Sequence, residues 1–212
     1  MAVWNGVVVV GALGDDDGGL SSGSAYLYEQ GGDGAWLEKA KLTASDAAAS
    51  DQIGNSVAVS NGVVVVGARQ DGGGSAYLYE QGGDRAWIET AKLTASDATA
   101  SDQFGWSVAV SNGVVVVGAW QDDDAGTSSG SAYLFKKDGG GCNSGNWMET
   151  KLTAFDSEEG DHFGYSVVVS NGAVFVGARG DDDAGSYSGS VYIFDIPDIA
   201  ILSPKSILRH AS

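Results

Sequence analysis

Four copies of one short pattern organise this chain of 212 residues: two runs of small and β-branched residues joined by Asn-Gly. The clearest copy reads SVAVSNGVVVVGA at 107–119, and the Asn-Gly pairs begin at Asn5, Asn61, Asn112 and Asn171. Both central residues of a type I′ turn need positive φ, and Asn and Gly tolerate it best. Each copy therefore predicts a tight antiparallel hairpin.

Two more predicted strands follow each hairpin. A loop rich in Gly and Asp leads to a third strand, such as SAYLY at 24–28, and a tryptophan then opens a fourth, as at Trp36, Trp87 and Trp147. The valine runs do not alternate with polar residues, so both faces of these strands should be buried between stacked sheets. A β-sandwich would have half-polar strands and would not explain near-identical repeats. The pattern predicts an all-β fold, a β-propeller of four-stranded antiparallel blades.

The repeat also predicts the domain organisation. Four blades are present, either as a small ring or as an open arc cut from a larger one. Residues 195–212 depart from the pattern, and within them residues 199–202 are one candidate for the outer strand of the last blade, the alternative being a loose tail. The propeller spans 1–194, with blades at about 1–45, 46–96, 97–155 and 156–202.

Two further motifs recur in phase with the hairpins, and they carry a resemblance to a known family. An aromatic or aliphatic residue and Gly open a repeat, and Val-Gly-Ala closes its second strand: Phe104-Gly105, Phe163-Gly164 and the variant Ile53-Gly54, with Val-Gly-Ala at 66–68, 117–119 and 176–178. In these motifs the chain resembles the FG-GAP repeats of the integrin α-subunit propeller. The resemblance implies an extracellular or cell-surface module, of the cell-adhesion type, that binds a protein or glycan partner.

The resemblance also raises calcium binding, although not at the position usual for the family. There, calcium sits in an Asp-rich loop between the first and second strands of a blade. In this chain that loop is a two-residue turn, which cannot surround an ion that takes six to eight oxygen ligands. The family's usual calcium site is therefore not expected here.

Acidic residues are instead concentrated in other loops. The chain has 11 basic and 28 acidic residues, a net charge of −17, and 18 of the acidic residues lie in loops that should emerge on one face of the propeller. Crowded carboxylates favour a hard cation such as calcium. The alternative is that Asp and Gly serve only as turn formers on a soluble face. The candidate metal ligands are Asp15, Asp16, Asp17, Asp122, Asp123, Asp124, Asp181, Asp182 and Asp183.

Three aromatic residues near this face are candidates for ligand binding. Trp106 and Tyr165 directly follow Phe-Gly, and Trp120 directly follows Val-Gly-Ala. Packing is the competing role for each of them. Their positions at strand ends on the acidic side predict a recognition surface.

The sequence predicts no enzyme. Only two histidines are present, and His162 occupies the position held by Gln52 and Gln103 in the other repeats. The two G-x-S-x-G matches lie between predicted strands, whereas a nucleophile elbow joins a strand to a helix. An enzyme built on this ring would need catalytic residues from elsewhere.

The net charge argues against nucleic acid as a partner, and no apolar run is long enough to span a membrane. No signal peptide is visible, so the extracellular assignment rests on the resemblance. The prediction is a non-catalytic binding module with a protein or glycan ligand. The alternative is a purely structural repeat scaffold, or an assembly module that associates with further propeller blades or another chain.

Overall fold

A computed structural model describes residues 1–137 and 147–196, together with the backbone of a strand at 206–209. The described residues form sixteen β-strands in four antiparallel sheets of four strands each, which we call blades 1 to 4. No helix that could span a membrane occurs in this part of the chain. The predicted all-β fold with four-stranded blades is confirmed. The strands are β1 (Ala2–Trp4), β2 (Val7–Ala12), β3 (Ser24–Gln30), β4 (Trp36–Leu42), β5 (Ile53–Ser60), β6 (Val63–Ala68), β7 (Ser75–Gln81), β8 (Trp87–Leu93), β9 (Ser107–Ser111), β10 (Val114–Ala119), β11 (Ser131–Lys137), β12 (Trp147–Leu152), β13 (Phe163–Ser170), β14 (Ala173–Ala178), β15 (Ser190–Asp195) and β16 (Ser206–Arg209).

The first two strands of every blade are joined by the predicted turn. In blade 3, Ser111 pairs with Val114, and the intervening Asn112 and Gly113 have φ values of 49° and 77°. Positive φ at both central residues of a two-residue loop defines the type I′ hairpin. The other three Asn-Gly pairs have the same signs.

The outer strand of blade 4 differs from the sequence prediction. Strand β15 pairs with Ser206–Arg209, so blade 4 extends to 209 rather than ending near 202. The candidate residues 199–202 lie outside the described residues. The other three outer strands begin with tryptophan, and the strand at 206–209 lacks this marker, so its position could not be read from the repeat.

Neighbouring blades stack face to face around three apolar cores. In β10, Val115 and Val117 pack toward blade 2, whereas Val114 and Val116 pack toward blade 4. A third core joins blades 1 and 2. The valine runs are therefore buried on both faces in the two middle blades, as predicted.

The outer faces of the two end blades are partly open. Val10 of blade 1 is 37% exposed, and Val168 of blade 4 is 55% exposed. Among the described residues, no apolar core joins blade 4 to blade 1. Within the part of the chain that the structure describes, the four blades therefore form an arc whose two outer faces are not covered by another blade.

The Phe-Gly and Val-Gly-Ala motifs meet where one blade contacts the next. A Cβ atom added to Gly118 of blade 3 would lie 1.9 Å from the carbonyl oxygen of Gly164 in blade 4. The Ser107 hydroxyl donates a hydrogen bond of 2.8 Å to the same oxygen, and the ring of Phe163 is fully buried beside it. Glycine is required at this contact because the two backbones touch.

We expect Gly118→Ala to lower the free energy of unfolding by about 1–3 kcal/mol or more, because overpacking against a backbone oxygen cannot be relieved by a side-chain rotation. Chemical denaturation measures the loss. Gly177→Ala is the matched control, since the nearest atom to its Cβ is the rotatable Ser166 hydroxyl. Equal stability of the two variants would contradict this account of the blade contact.

Candidate functional site

The two kinds of acidic loop lie on one face and bond to each other. In blade 1, the Ile53 amide donates to the Ser22 carbonyl over 2.9 Å, and the Ser50 amide donates to the Leu20 carbonyl over 2.9 Å. These bonds join the loop between β2 and β3 to the connector that leads into blade 2. We call this side of the arc the acidic face.

Each of blades 2, 3 and 4 places a tyrosine hydroxyl between two carboxylates of this face. The Tyr133 hydroxyl lies 2.8 Å from Asp122 of its own blade and 2.8 Å from Asp97 of the preceding connector. Tyr77 and Tyr192 make the same pair of contacts, at 2.7–2.8 Å. The tyrosine therefore links the loop of one blade to the connector from the previous blade.

A lysine completes this arrangement in blades 2 and 3, and an equivalent lysine lies in blade 1. A phenol has one proton and can donate to only one carboxylate at a time. In blade 3 the Lys151 ammonium lies 2.7 Å from Asp97 and 3.0 Å from Asp122, and it also contacts Asp124. It supplies the donors and the positive charge that the second carboxylate needs. Lys92 of blade 2 and Lys41 of blade 1 occupy the equivalent positions.

The protonation states follow from these contacts. The hydrogen bond from Lys92 and that from Tyr77 lower the pKa of Asp46. Burial and the two neighbouring carboxylates raise the pKa of Tyr133 far above its usual value. Burial alone would lower the pKa of Lys151, but its hydrogen bonds to three aspartates raise it. The phenol thus stays neutral and the lysine charged, which suits a structural link.

The nine predicted metal ligands do not converge on one point. The first aspartate of each loop accepts from a tyrosine, as described for Asp122. The second turns toward the loop backbone in two blades, where Asp16 accepts from the Ser21 amide and Asp123 from the Ser128 amide. In blades 1 and 3 the third aspartate of the loop forms a salt bridge with a lysine. In blade 4 the backbone amide of Asp183 donates to the Asp181 carboxylate. The backbone carbonyl of Asp182 accepts from the Gly185 amide.

Three carboxylates do lie close enough to share a cation. Ligand oxygens of Asp97, Asp122 and Asp124 lie within 4.8 Å of one another, so this group could hold a metal ion. Asp97 was not among the predicted ligands, because its proximity depends on packing between blades. The Lys151 ammonium contacts all three residues, so a metal ion would compete with it.

A second set of aspartates shapes the connectors. The carboxylates of Asp51, Asp102 and Asp161 accept from the amide three residues earlier, over 2.6–2.7 Å. All three side chains are buried. Burial raises the pKa of Asp51 and of Asp161. Their fixed spacing two residues before Ile-Gly or Phe-Gly could have identified them as turn formers.

The three predicted ligand-binding aromatics come together on this face. Ring centroids are 5.5 Å apart for Trp106 and Trp120, 5.3 Å for Trp106 and Tyr165, and 5.9 Å for Trp120 and Tyr165. Two arginines flank them: Arg69 lies 4.8 Å from the Trp106 ring centroid, and Arg179 lies 4.3 Å from that of Tyr165. We call these five residues the aromatic–arginine cluster.

Three neighbouring side chains support the cluster from left-handed backbone positions. Gln52, Gln103 and His162 have φ near 57°, a conformation that is uncommon for residues other than Gly and Asn. The Gln52 side-chain oxygen accepts from Arg69 over 2.8 Å, and that of Gln103 accepts from the Trp120 indole over 3.2 Å. The His162 ring lies 4.7 Å from the Trp120 ring, and burial, together with Arg179, lowers its pKa.

A polar cavity of about 350 Å³ opens beside the cluster, between blades 2 and 3. Its walls include Arg69, Gln103, Gln121 and Ser101. The cavity therefore presents guanidinium, amide and hydroxyl groups next to an aromatic surface. Such a combination suits recognition of a ligand by hydrogen bonds and stacking.

Stacked four-stranded blades with near-identical repeats define a β-propeller, the architecture of a binding or scaffold module. The family model described as FG-GAP repeat matches residues 36–79, 87–135 and 147–194, which is well over half of the chain. The chain therefore belongs to the FG-GAP repeat family, as its motifs predicted.

The comparisons with whole proteins bear on the fold alone. Among solved structures, a protein from Lactobacillus plantarum, a structural genomics target, matches with a TM-score of 0.55 and 14% identity. The match covers 87% of this chain and 51% of that one, so the chain spans about half the length of that protein. No significant match is found among curated proteins.

We expect Tyr133→Phe to lower the free energy of unfolding by about 1–3 kcal/mol, because the hydroxyl that links Asp97 and Asp122 is lost at a fully buried position. Tyr26→Phe is the matched control, since Tyr26 is only half-buried and bonds one carboxylate, Asp15. Its loss should be clearly smaller in the same denaturation experiment. Equal losses would show that the link between loop and connector adds no stability.

Proposed function

We propose that this chain is a non-catalytic binding module whose aromatic–arginine cluster forms the centre of an interface with a protein partner. The observation that carries the proposal is the convergence of Trp106, Trp120 and Tyr165 with Arg69 and Arg179 on one accessible face. Tryptophan, tyrosine and arginine are the residue types most enriched at the energetic centres of protein interfaces.

The burial of these residues supports this role over a purely packing one. The apolar cores between the blades are built from other side chains, and the three aromatics of the cluster remain half-buried. A side chain that is held by its neighbours but still presents a face to solvent loses little entropy on binding. The cluster is therefore preorganised for a partner.

The charges around the cluster also support it. Within the described residues, Arg69 and Arg179 take part in none of the salt bridges, all of which involve lysines. In a protein of net charge −17, two arginines that are held over aromatic rings, with no carboxylate paired to them among the described residues, are suited to a partner that brings its own acidic group.

We place this module outside the cell or at the cell surface, in an adhesion-type role. Support for this part of the proposal comes from the resemblance of the repeats to those of integrin α-subunits. A glycan is the competing ligand class, and the polar cavity beside Trp106 and Arg69 is the observation that favours it.

We expect peptides selected by phage display on the intact chain to lose at least about tenfold in affinity for Trp106→Ala or Arg69→Ala, as hot-spot truncations do. Trp36→Ala is the matched control, because Trp36 is 47% exposed on the edge strand of blade 1. Isothermal calorimetry gives the affinities. Circular dichroism confirms that each variant is folded.

Two outcomes would redirect the proposal. Selected peptides that bind Trp106→Ala as well as the unmodified chain would remove the cluster from the interface and favour the scaffold alternative. The second outcome is that no peptide is selected, while the unmodified chain binds on a glycan array and Trp106→Ala does not. This result would show that the cluster recognises a glycan instead of a protein.

Calcium is the ion we propose for Asp97, Asp122 and Asp124, in competition with Lys151. We expect Lys151→Met to bind calcium at least about tenfold more tightly than the unmodified chain, because the variant removes a positive charge from among three carboxylates. Calorimetric titration of chelator-treated protein measures this. Lys137→Met, whose lysine pairs with Glu80 instead, should leave calcium affinity unchanged. Equal affinity in all three proteins would exclude this group as a calcium site.

A further inference from the structure

The loop between the second and third strands is shorter in blade 2 than in its neighbours. It spans 13–23 in blade 1 and 120–130 in blade 3, but only 69–74 in blade 2. We call the space between this loop and the connector that follows the blade the connector groove. The polar cavity of about 350 Å³ described above lies in the connector groove of blade 2, where the short loop leaves room for it.

The two long loops fill their connector grooves with their own backbone. Each loop contributes two adjacent carbonyl groups, which accept hydrogen bonds from two alternate amides of the connector. The four bonds are Ser50 N–H to Leu20 O (2.9 Å), Gln52 N–H to Ser21 O (3.2 Å), Gly160 N–H to Thr127 O (3.0 Å) and His162 N–H to Ser128 O (3.1 Å). Blades 1 and 3 therefore bind a short loop segment at this place by its main chain.

The same two amides lack these partners in blade 2. Here they belong to Ser101 and Gln103, and both residues line the cavity. Within the described residues, neither amide donates to another backbone group, although the next donor along, the Phe104 amide, still reaches the Gly73 carbonyl over 3.0 Å. Backbone N–H groups are strong donors that need an acceptor. Two of them are thus available to a ligand in this cavity.

The connector keeps its shape although the covering loop is absent. The φ values are 85° at Ser101 and 57° at Gln103, compared with 75° and 58° at Ser50 and Gln52 in the filled groove of blade 1. Positive φ is uncommon for these residue types, so this agreement is specific to the connector. The two amides are therefore held in the backbone conformation that binds carbonyl groups elsewhere in the chain.

The side chains of the cavity add further hydrogen-bonding groups. Arg69 and Gln121 contribute a guanidinium and an amide to its walls. The Arg69 side chain is fixed, because it donates to Gln52 over 2.8 Å and lies over the Trp106 ring. Donors fixed before a ligand arrives lose little entropy on binding. A ligand rich in acceptors, such as peptide backbone, matches this lining.

We propose that the connector groove of blade 2 binds a short loop of a partner protein, made of small and hydroxylated residues. Two adjacent carbonyls of that loop accept from the amides of Ser101 and Gln103, in the place that residues 20–21 and 127–128 take in the filled grooves. Main-chain hydrogen bonds of this kind supply affinity in peptide recognition. The inference rests on the proposed function only in assigning the loop to a partner that also contacts the aromatic–arginine cluster.

Hydrogen exchange followed by NMR tests whether the groove is open. The two connectors have the same sequence, ASDQ, at 49–52 and 100–103, so the intrinsic exchange rates of the paired amides match. We expect the amides of Ser101 and Gln103 to exchange at least about tenfold faster than those of Ser50 and Gln52. Equal protection would show that the chain itself covers the groove, and it would overturn the proposal.

A chimera with a long loop in blade 2 provides the blocked control. In it, Gly72 and Gly73 are replaced by the sequence of residues 123–129, DDAGTSS, so that the loop of blade 2 matches that of blade 3 in length. We expect the amides of Ser101 and Gln103 to become as protected in the chimera as those of Ser50 and Gln52. Ala100→Phe is a second blocked variant, because Ala100 lines the cavity and is exposed.

The binding probe is a peptide with the sequence of residues 125–131, AGTSSGS, with both ends capped. We expect saturable NMR shifts of the Ser101 and Gln103 amide signals and none at Ser50 or Gln52. The affinity should fall at least about tenfold in the chimera and in Ala100→Phe. Absence of shifts at Ser101 and Gln103, or equal affinity in the blocked variants, would overturn the proposal. Glycan-array binding that is lost in the chimera, without peptide-induced shifts, would assign the groove to a sugar and would also overturn it.

Two combinations of results separate this inference from the proposed function. If the probe gives no shifts while phage-selected peptides still lose affinity in Trp106→Ala, the groove fails as a peptide site and the cluster stands. If the probe binds the groove while the selected peptides bind Trp106→Ala normally, the groove stands and the cluster fails as the centre of the interface.

Discussion

The close approach of glycine backbone in one blade to a glycine carbonyl oxygen in the next sets the geometry of the whole arc. Neither partner could carry a side chain without displacing the other, so both motifs must contain glycine. The same contact places Ile53, Phe104 and Phe163 in the apolar cores and brings the valine strands face to face. Burial of both faces of those strands then supplies most of the apolar stabilisation that the blades share.

Local chemistry made much of this fold predictable from the sequence. Asn112-Gly113 and its equivalents specify their turns without help from distant residues, and the repeat then gives the order of strands. The outer strand of blade 4 was misplaced, because pairing with Tyr192 and Val191 is decided across the sheet rather than by a local marker. The repeat also did not predict that the outer faces of blades 1 and 4 are partly exposed, because every blade has the same two apolar faces.

The candidate site was predicted less completely, for a related reason. The alternating direction of the strands predicted that the acidic loops lie on one face. The link from Tyr133 to both Asp97 and Asp122 depends instead on how one blade is positioned against the next. One sequence pattern did contain part of this information: in blades 2 and 3 the linking tyrosine pairs directly across from Lys92 or Lys151, and Lys41 of blade 1 pairs with Tyr26 in the same register. Each of these lysines therefore neutralises part of the charge of the aspartates it contacts, and a cation would have to compete with it.

The repeats differ at positions whose side chains lie outside the apolar cores. Residues of the valine strands and of both glycine motifs are nearly identical from blade to blade, because each must fit the same neighbour. The residue after Phe-Gly or Ile-Gly and the residue after Gly-Ala point to the rim instead, and there the copies diverge: Asn55, Trp106 and Tyr165 in the first position, and Leu13, Arg69, Trp120 and Arg179 in the second. A repeating scaffold can therefore carry a surface that does not repeat. All five residues of the aromatic–arginine cluster lie at these two positions, so the cluster arises from differences between the copies and not from the repeated pattern itself.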